Sequence, residues 1–211
     1  MADADTDAHD RSMMERAIAA ARRSGEDGEY PYGAVISRGG EVVAESINRV
    51  AHEQDVTRHA EVLAISAAQR TLGTTSLDDC TIYVSAEPCA YCCYAIRESR
   101  IGRVVYGLRS PHMGGVSKWN VLVDDGLSDT MPETFAPPPL IRGGLMWQEA
   151  ERALEEWNPV AWAVMKARGL FTGEATPEVL AREQHRPRTG LHHWVMASLR
   201  RRFFDRFGRG A

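Results

Sequence analysis

The sequence lacks any apolar run long enough to cross a bilayer. Its first ten residues are acidic and contain neither the basic region nor the apolar region of a signal peptide. Of the 211 residues, 44% are hydrophobic and 26% are charged, which is typical of a globular protein with one α/β domain and room for an extension. We therefore predict a cytoplasmic protein without a membrane span.

Cysteine is scarce, and its distribution is uneven. Cys89, Cys92 and Cys93 lie within five residues of one another, and Cys80 precedes them. In a reducing compartment such a cluster favours metal binding or catalysis over disulfide bonds.

Positive charge is sparse over most of the chain and concentrated at its end. Residues 1–165 hold 15 Lys/Arg against 25 Asp/Glu, a net of −10, whereas residues 166–211 hold 10 against 4, a net of +6. Apolar residues recur in the basic part at helical spacing and predict a basic amphipathic helix. This helix could dock on the protein itself, or bind nucleic acid or an anionic membrane surface. Its apolar residues are Leu191, Trp194, Val195, Leu199, Phe203 and Phe207.

The order of elements predicts helices packed on a mixed sheet. Gly39-Gly40 between two apolar runs indicates a hairpin. The segment 108–144 is rich in Gly, Pro and Asp and is interpreted as a long loop system. The predicted helices are 12–24, 60–70, 89–100 and those within 145–167, and the predicted strands are 33–38, 41–47, 81–84 and 103–106.

Two short motifs carry the candidate chemistry, His59-Ala-Glu61 and Pro88-Cys89-Ala-Tyr-Cys92. Each lies where a strand or loop is expected to give way to a helix, so their side chains can meet at neighbouring helix N-termini. Cys89 and Cys92 share one face of a first helical turn, where the positive end of the helix dipole favours thiolates. One imidazole and two thiolates leave one position of a tetrahedral zinc ion open, which predicts a catalytic site.

A closed structural zinc site with a fourth protein ligand is the alternative. Cys93 is the nearest candidate, but on a helix it is rotated by about 100° from Cys92. Glu61 could be a solvated helix carboxylate. A closed zinc site gives it no role, whereas an open site does, because Glu61 is placed to transfer protons between the attacking water and the substrate.

The two motifs together form the H-x-E and P-C-x-x-C signature of zinc nucleobase deaminases. Around them the sequence resembles the cytidine deaminase-like superfamily, particularly its bacterial tRNA adenosine deaminase and guanine/cytosine deaminase branches. The resemblance extends from about Met13 to Leu108. It is carried by Tyr30-Pro-Tyr-Gly-Ala-Val-Ile, Asn48, Thr57-Arg-His-Ala-Glu-Val, Leu77-Asp-Asp-Cys-Thr-Ile-Tyr-Val-Ser-Ala-Glu-Pro-Cys-Ala-Tyr-Cys and Ser99-Arg-Ile-Gly-Arg-Val-Val-Tyr-Gly.

The resemblance implies a three-layer α/β/α sandwich around a five-stranded mixed sheet, assembled as a homodimer. It also implies zinc as the cofactor, held by His59, Cys89 and Cys92, with Glu61 as the catalytic residue. We accordingly divide the chain into a disordered acidic N-terminus (1–11), a zinc deaminase domain (12–169) and a C-terminal extension with the basic amphipathic helix (170–211).

Four further residues are candidates for substrate binding. The resemblance implies that Asn48 forms hydrogen bonds with the bound base or its sugar, although a turn residue at the end of a strand would look the same. Aromatic residues commonly cover the base in this superfamily, and Trp119, Trp157 and Trp162 lie where the selectivity segments fall. Each such tryptophan is more often part of the core, since a buried tryptophan needs no substrate to justify it.

The predicted function is hydrolytic deamination of an amino-substituted nucleobase or nucleoside, guanine-like or cytosine-like, with release of ammonia. The alternative is adenosine-to-inosine editing of tRNA, which the segment 99–107 and the basic end favour and the acidic body opposes. An inactive deaminase fold acting as a binding platform is a third hypothesis. It would not require the intact Glu61.

Overall fold

The computed structural model describes residues 2–186 and residue 195 of the chain. It contains one five-stranded mixed sheet with strand order β2-β1-β3-β4-β5. β1 pairs antiparallel with β2 and β3, whereas β3, β4 and β5 run parallel. The strands are β1 (Gly33–Arg38), β2 (Glu41–Ile47), β3 (Cys80–Ala86), β4 (Arg103–Leu108) and β5 (Leu140–Gly143).

Helices cover both faces of the sheet. They are α1 (Ala2–Glu26), α2 (Val50–Glu53), α3 (Ala60–Leu72), α4 (Ala90–Glu98), α5 (Asp125–Thr130), α6 (Trp147–Trp157), α7 (Pro159–Ala167) and α8 (Pro177–Glu183), with a 3-10 turn at Val121–Val123. Because successive strand residues point to opposite faces, Val35 and Ile36 belong to different hydrophobic cores. The core around Ile36 includes residues of α3 and α4, and the core around Val35 includes residues of α1 and α6. The three-layer α/β/α sandwich predicted from the sequence is confirmed.

The N-terminal prediction was wrong, because α1 begins at Ala2 and not near residue 12. Asp10 is fully buried, and it accepts hydrogen bonds from Arg103 (2.6 Å), Arg142 (2.7 Å) and the Tyr83 hydroxyl (2.9 Å). An acidic composition suggests disorder only when its charges have no partners. Here the partners lie on strands β3, β4 and β5, far away in sequence.

The predicted domain boundary at residue 169 was also wrong. Glu183 of α8 is buried against Arg109, at 3.0 Å, and accepts a hydrogen bond from the Tyr106 hydroxyl at 2.7 Å. The segment through α8 is therefore part of the domain. The amphipathic helix predicted beyond it lies outside the described residues, apart from Val195.

The segment 108–144 contains more regular structure than the sequence predicted. It forms the 3-10 turn, α5 and the edge strand β5. Buried Arg97 of α4 joins the segment to the fold by donating hydrogen bonds to the carbonyl oxygens of Val121, Asp124 and Ala136. A buried arginine contacting several carbonyls gives the segment a fixed path that composition does not reveal.

The prediction that the chain lacks a membrane span can be compared with the helices of the structure. In the part of the chain that the structure describes, no helix has both the length and the apolar character required to span a bilayer.

Candidate active site

Three ligand-type side chains meet beside the carboxyl end of β3. His59 is the N-cap residue of α3, Cys89 is the N-cap residue of α4, and Cys92 lies in the first turn of α4. The His59 Nδ1 atom is 3.3 Å from Cys92 Sγ and 3.7 Å from Cys89 Sγ, and the three donor atoms all lie within 4.8 Å of one another. Ligand atoms around a tetrahedral zinc ion are roughly 3.5–3.8 Å apart, so the donor set and its spacing fit zinc.

The electrostatics of the group favour a bound cation. A hydrogen bond from Cys92, with a further contribution from His59, lowers the pKa of Cys89 to about 4. The same hydrogen bond, together with burial, raises the pKa of Cys92. A zinc ion takes thiolate ligands, so a sulfur whose pKa is lowered in this way is suited to bind it.

The other two cysteines lie outside this group. Cys93 is buried, and its thiol donates a hydrogen bond to the Pro88 carbonyl oxygen at 3.3 Å. Cys80 begins β3, at the opposite end of the strand from Cys89. The described residues thus offer three protein ligands, which fits an open site better than the closed structural zinc considered as an alternative.

Glu61 lies in the first turn of α3, beside the three ligands. It is buried and lines a cavity of about 270 Å³, together with His59 and Cys89. Burial, assisted by the negative charge of Cys89, raises the pKa of its carboxyl group. Glu61 is therefore a carboxyl group at the floor of a cavity, and not a solvated one on a helix surface.

Aromatic and apolar side chains make up part of the cavity wall. Tyr30 and Tyr32 precede β1, Met113 follows β4, and Phe171 follows α7. The Phe171 ring packs against Tyr32, with 6.4 Å between the ring centres. The remaining wall residues are Gly33, Asn48, Val50, Val84, Ser85, Ala86, Glu87 and Ser110.

The tryptophans predicted to bind substrate do not line this cavity. Trp119 is 57% exposed, with Lys118 above its ring. Trp162 is buried in the core and packs against Phe171, with 6.4 Å between the ring centres. Trp157 packs against the ring of Tyr30, with 5.3 Å between the ring centres. The tryptophans thus support the wall aromatics from behind or lie on the surface. The Tyr30-Pro-Tyr motif was the available signal for two wall residues, whereas no sequence signal pointed to Phe171.

Asn48 lines the cavity, as expected for a residue that binds substrate. It is buried, and its side-chain Nδ2 donates a hydrogen bond to Glu29 Oε2 at 2.9 Å. Its backbone N–H donates to the Tyr32 carbonyl oxygen, which joins the end of β2 to the wall. Contact between Asn48 and a substrate stays a prediction.

Glu87 is a functional-site residue that sequence analysis missed. Its buried carboxylate accepts hydrogen bonds from the backbone N–H groups of Ser110, Val116 and Ser117, at 2.7–2.8 Å, and from the Ser117 hydroxyl at 2.6 Å. A Cβ atom at Gly114 would lie 2.2 Å from this carboxylate. Glu87 therefore fixes the loop after β4 against the cavity and leaves no room for a side chain at residue 114.

Comparison with known proteins agrees with this geometry. The family model for the cytidine and deoxycytidylate deaminase zinc-binding region matches residues 7–108. The tRNA-specific adenosine deaminase of Aquifex aeolicus is 40% identical over 126 residues, which are 59% of this chain and 83% of that protein. A tRNA(Ile)-lysidine synthase of Deinococcus radiodurans is 38% identical over 146 residues, but the match spans only 24% of its length.

Solved structures have the same fold. One, from a study of A-to-I editing by tRNA:A34 deaminases at the wobble position of transfer RNA, is 36% identical with a TM-score of 0.59, and the match covers 68% of this chain and 99% of that chain. A structure from a study of guanine deaminase from Nitrosomonas europaea is 25% identical with a TM-score of 0.59, and the match covers 71% of this chain and 84% of that chain. The chain therefore belongs to the cytidine deaminase-like superfamily of zinc-dependent hydrolytic deaminases.

Proposed function

We propose that this protein deaminates adenosine to inosine in tRNA. The observation that carries the proposal is the placement of Glu61 beside His59, Cys89 and Cys92 at the floor of a cavity of about 270 Å³, a size that suits one nucleobase. A base in a structured RNA can reach such a floor only when it is turned out of its stack, and aromatic walls can then hold it. Tyr30, Tyr32 and Phe171 provide those walls.

The metal ligands and Glu61 have different roles in the reaction. Zinc bound at the three ligands would supply Lewis-acid activation of water at neutral pH. The Glu61 carboxyl group moves the protons. It accepts one from the attacking water and delivers it to adenine N1, and it then accepts the second from the new C6 hydroxyl and delivers it to the amine that leaves C6 as ammonia. Water supplies the oxygen of the product, so the bond that forms is C–O and the bond that breaks is C–N.

The relatives favour tRNA over the free base that the sequence alone favoured. Among them, the tRNA-specific adenosine deaminases are 35% to 41% identical to this chain, and the guanine deaminase of Nitrosomonas europaea is 25% identical. The net charge of −10 over residues 1–165 opposed tRNA in the sequence analysis, but a net charge does not say which residues lie beside the cavity where a base would enter. The proposal includes tRNA as the partner, a homodimer as the assembly and the cytoplasm as the location.

Guanine deamination is the second candidate. It is supported by the similarity to guanine deaminases and by Phe171, which covers part of the cavity from a segment outside the matched family region. A free purine requires a cavity closed on most sides, and Phe171 contributes to such closure.

One experiment separates the two candidates. Purified zinc-loaded protein is incubated in parallel with total tRNA and with guanine, cytosine, adenine and their nucleosides, and inosine in digested tRNA and ammonia release are measured. Inosine formation with little ammonia from the free compounds would support the tRNA proposal. Rapid release of ammonia from guanine without inosine in tRNA would replace it with the second candidate. Glu61→Gln is the control for background deamination.

A further inference from the structure

Glu29 is a buried carboxylate behind the wall of the cavity, and the reaction gives it no direct role. It lies just before Tyr30 and does not line the cavity itself. It accepts three hydrogen bonds: from Asn48 Nδ2 at 2.9 Å, from the Ala51 backbone N–H at 3.1 Å and from the His52 backbone N–H at 2.7 Å. Although burial raises its pKa, these hydrogen bonds outweigh burial and hold the pKa of Glu29 below its usual value. The group is therefore an ionised acceptor at neutral pH.

An ionised carboxylate accepts hydrogen bonds and cannot donate them. The side-chain amide of Asn48 must therefore turn its NH2 group toward Glu29. Glu29 accepts from one of the two N–H bonds of that group, and the carbonyl oxygen Oδ1 is turned away from Glu29, where it can accept a hydrogen bond from a ligand. A free asparagine amide could rotate and offer either a donor or an acceptor, but Glu29 removes that choice.

We propose that Glu29 is a positioning residue that holds Asn48 as a hydrogen-bond acceptor and thereby helps to select the substrate. The inference deepens the proposed function and, for the choice of substrate, rests on it. Within an adenosine in RNA, the ring nitrogens other than the glycosidic N9 are acceptors and the exocyclic amine is the group that leaves. The remaining donor is the ribose 2′-hydroxyl, which distinguishes RNA from DNA. Asn48 Oδ1 is thus suited to accept a hydrogen bond from that hydroxyl.

A purely structural role for Glu29 makes a different prediction. Its bonds to the Ala51 and His52 N–H groups fix the start of the four-residue helix α2, and any loss of them would reduce stability. Such a loss would add to the effect of a change at Asn48 and would not reverse it. Two measurements separate the roles.

The first measurement observes the amide directly and does not depend on turnover. In a 15N–1H spectrum of zinc-loaded protein, the Asn48 side-chain amide is assigned by its disappearance in Asn48→Asp. We expect Glu29→Gln to shift this signal upfield and to speed its exchange with solvent, whereas Asp10→Asn, which removes another buried carboxylate, leaves it unchanged. An Asn48 signal unaffected by Glu29→Gln would overturn the inference.

The second measurement is a double-mutant cycle with tRNA as substrate. Asn48→Asp brings two carboxylates together at the position of the 2.9 Å hydrogen bond and should lower kcat/KM by roughly 10-fold or more. Adding Glu29→Gln restores a donor opposite the new carboxylate, so the double variant should recover much of that loss. Failure to recover would overturn the inference. If the wild-type protein forms no inosine in tRNA, the proposed function fails, and the amide spectrum alone decides the role of Glu29.

Discussion

At the scale of single residues, the zinc ligands allow the sharpest test. Cys89→Ala should lower the zinc content of the purified protein well below one ion per chain and lower its melting temperature, because metal binding is coupled to folding. Zinc content is measured by plasma mass spectrometry. Cys93→Ala is the matched control, because Cys93 is next to a ligand in sequence but bonds to the Pro88 carbonyl oxygen. Full zinc occupancy in Cys89→Ala would rule out the ligand set.

Glu61 is expected to act on protons and not on the metal. Glu61→Gln should retain zinc and the melting temperature while turnover falls by roughly 10² or more, the usual contribution of general acid–base catalysis. Turnover and zinc content are measured on the same preparation. Near-normal turnover with zinc present would remove Glu61 from the mechanism.

The structure brings the three predicted zinc ligands together and leaves the three predicted tryptophans outside the cavity, for one physical reason. His59, Cys89 and Cys92 are constrained by local geometry, since two of them are three residues apart at a helix start and the third precedes another helix. Which aromatic ring faces the cavity depends instead on packing between distant segments. Phe171 lines the cavity, whereas Trp162 packs against Phe171 and does not line it, although both are large aromatic residues.

At the scale of elements, the buried ion pair between Arg109 and Glu183 attaches α8 to the end of β4. Glu183→Ala should destabilise the protein by about 3–5 kcal/mol, because it leaves a buried guanidinium without its partner. Urea unfolding monitored by tryptophan fluorescence measures the change. Glu178→Ala is the control, because Glu178 is 75% exposed and its pair with Arg182 on the same helix is worth about 0.3–0.5 kcal/mol. Equal effects of the two substitutions would contradict the burial argument.

The attachment of α1 should depend on pH. Burial opposes ionisation of Asp10, but the hydrogen bonds from Arg103 and Arg142 outweigh it and hold the pKa of Asp10 below its ordinary value of 3.8. A folded-state pKa below the unfolded one stabilises the protein above about pH 4 and ceases to do so as the pH falls through the folded value. Urea midpoints measured from pH 7 down to pH 3 should therefore decline less steeply in Asp10→Asn than in the wild type. Parallel curves would show that Asp10 contributes nothing to the acid sensitivity.

The elements predicted from sequence were the long or strongly patterned ones. The hairpin, α3, α4 and β4 have clear alternation or turn signals, and all four are confirmed. β5 has four residues and α8 has seven, so neither is long enough to show a period. The pairing of β5 with β4 and the ion pair of α8 come from contacts across the chain.

At the scale of the whole molecule, the charge asymmetry bears on how tRNA would be held. Residues 187–211 contain six arginines and one aspartate, whereas residues 1–165 carry a net charge of −10. If tRNA is the substrate, removing residues 187–211 should raise KM and flatten the dependence of kcat/KM on salt, because fewer counterions are released on binding. Unchanged salt dependence would show that the cations that hold tRNA lie elsewhere.

The position of Phe171 bears on how substrate preference can change among related proteins. The residues proposed to perform the reaction come from the stretch between His59 and Cys92, within the region that the family model matches, whereas Phe171 comes from a segment beyond it. Changes in the later segment can reshape the cavity wall without disturbing the ligands or Glu61. A lineage can therefore acquire a new substrate while inheriting its chemistry intact, and replacing residues 109–186 with the matching segment of a relative should transfer substrate preference.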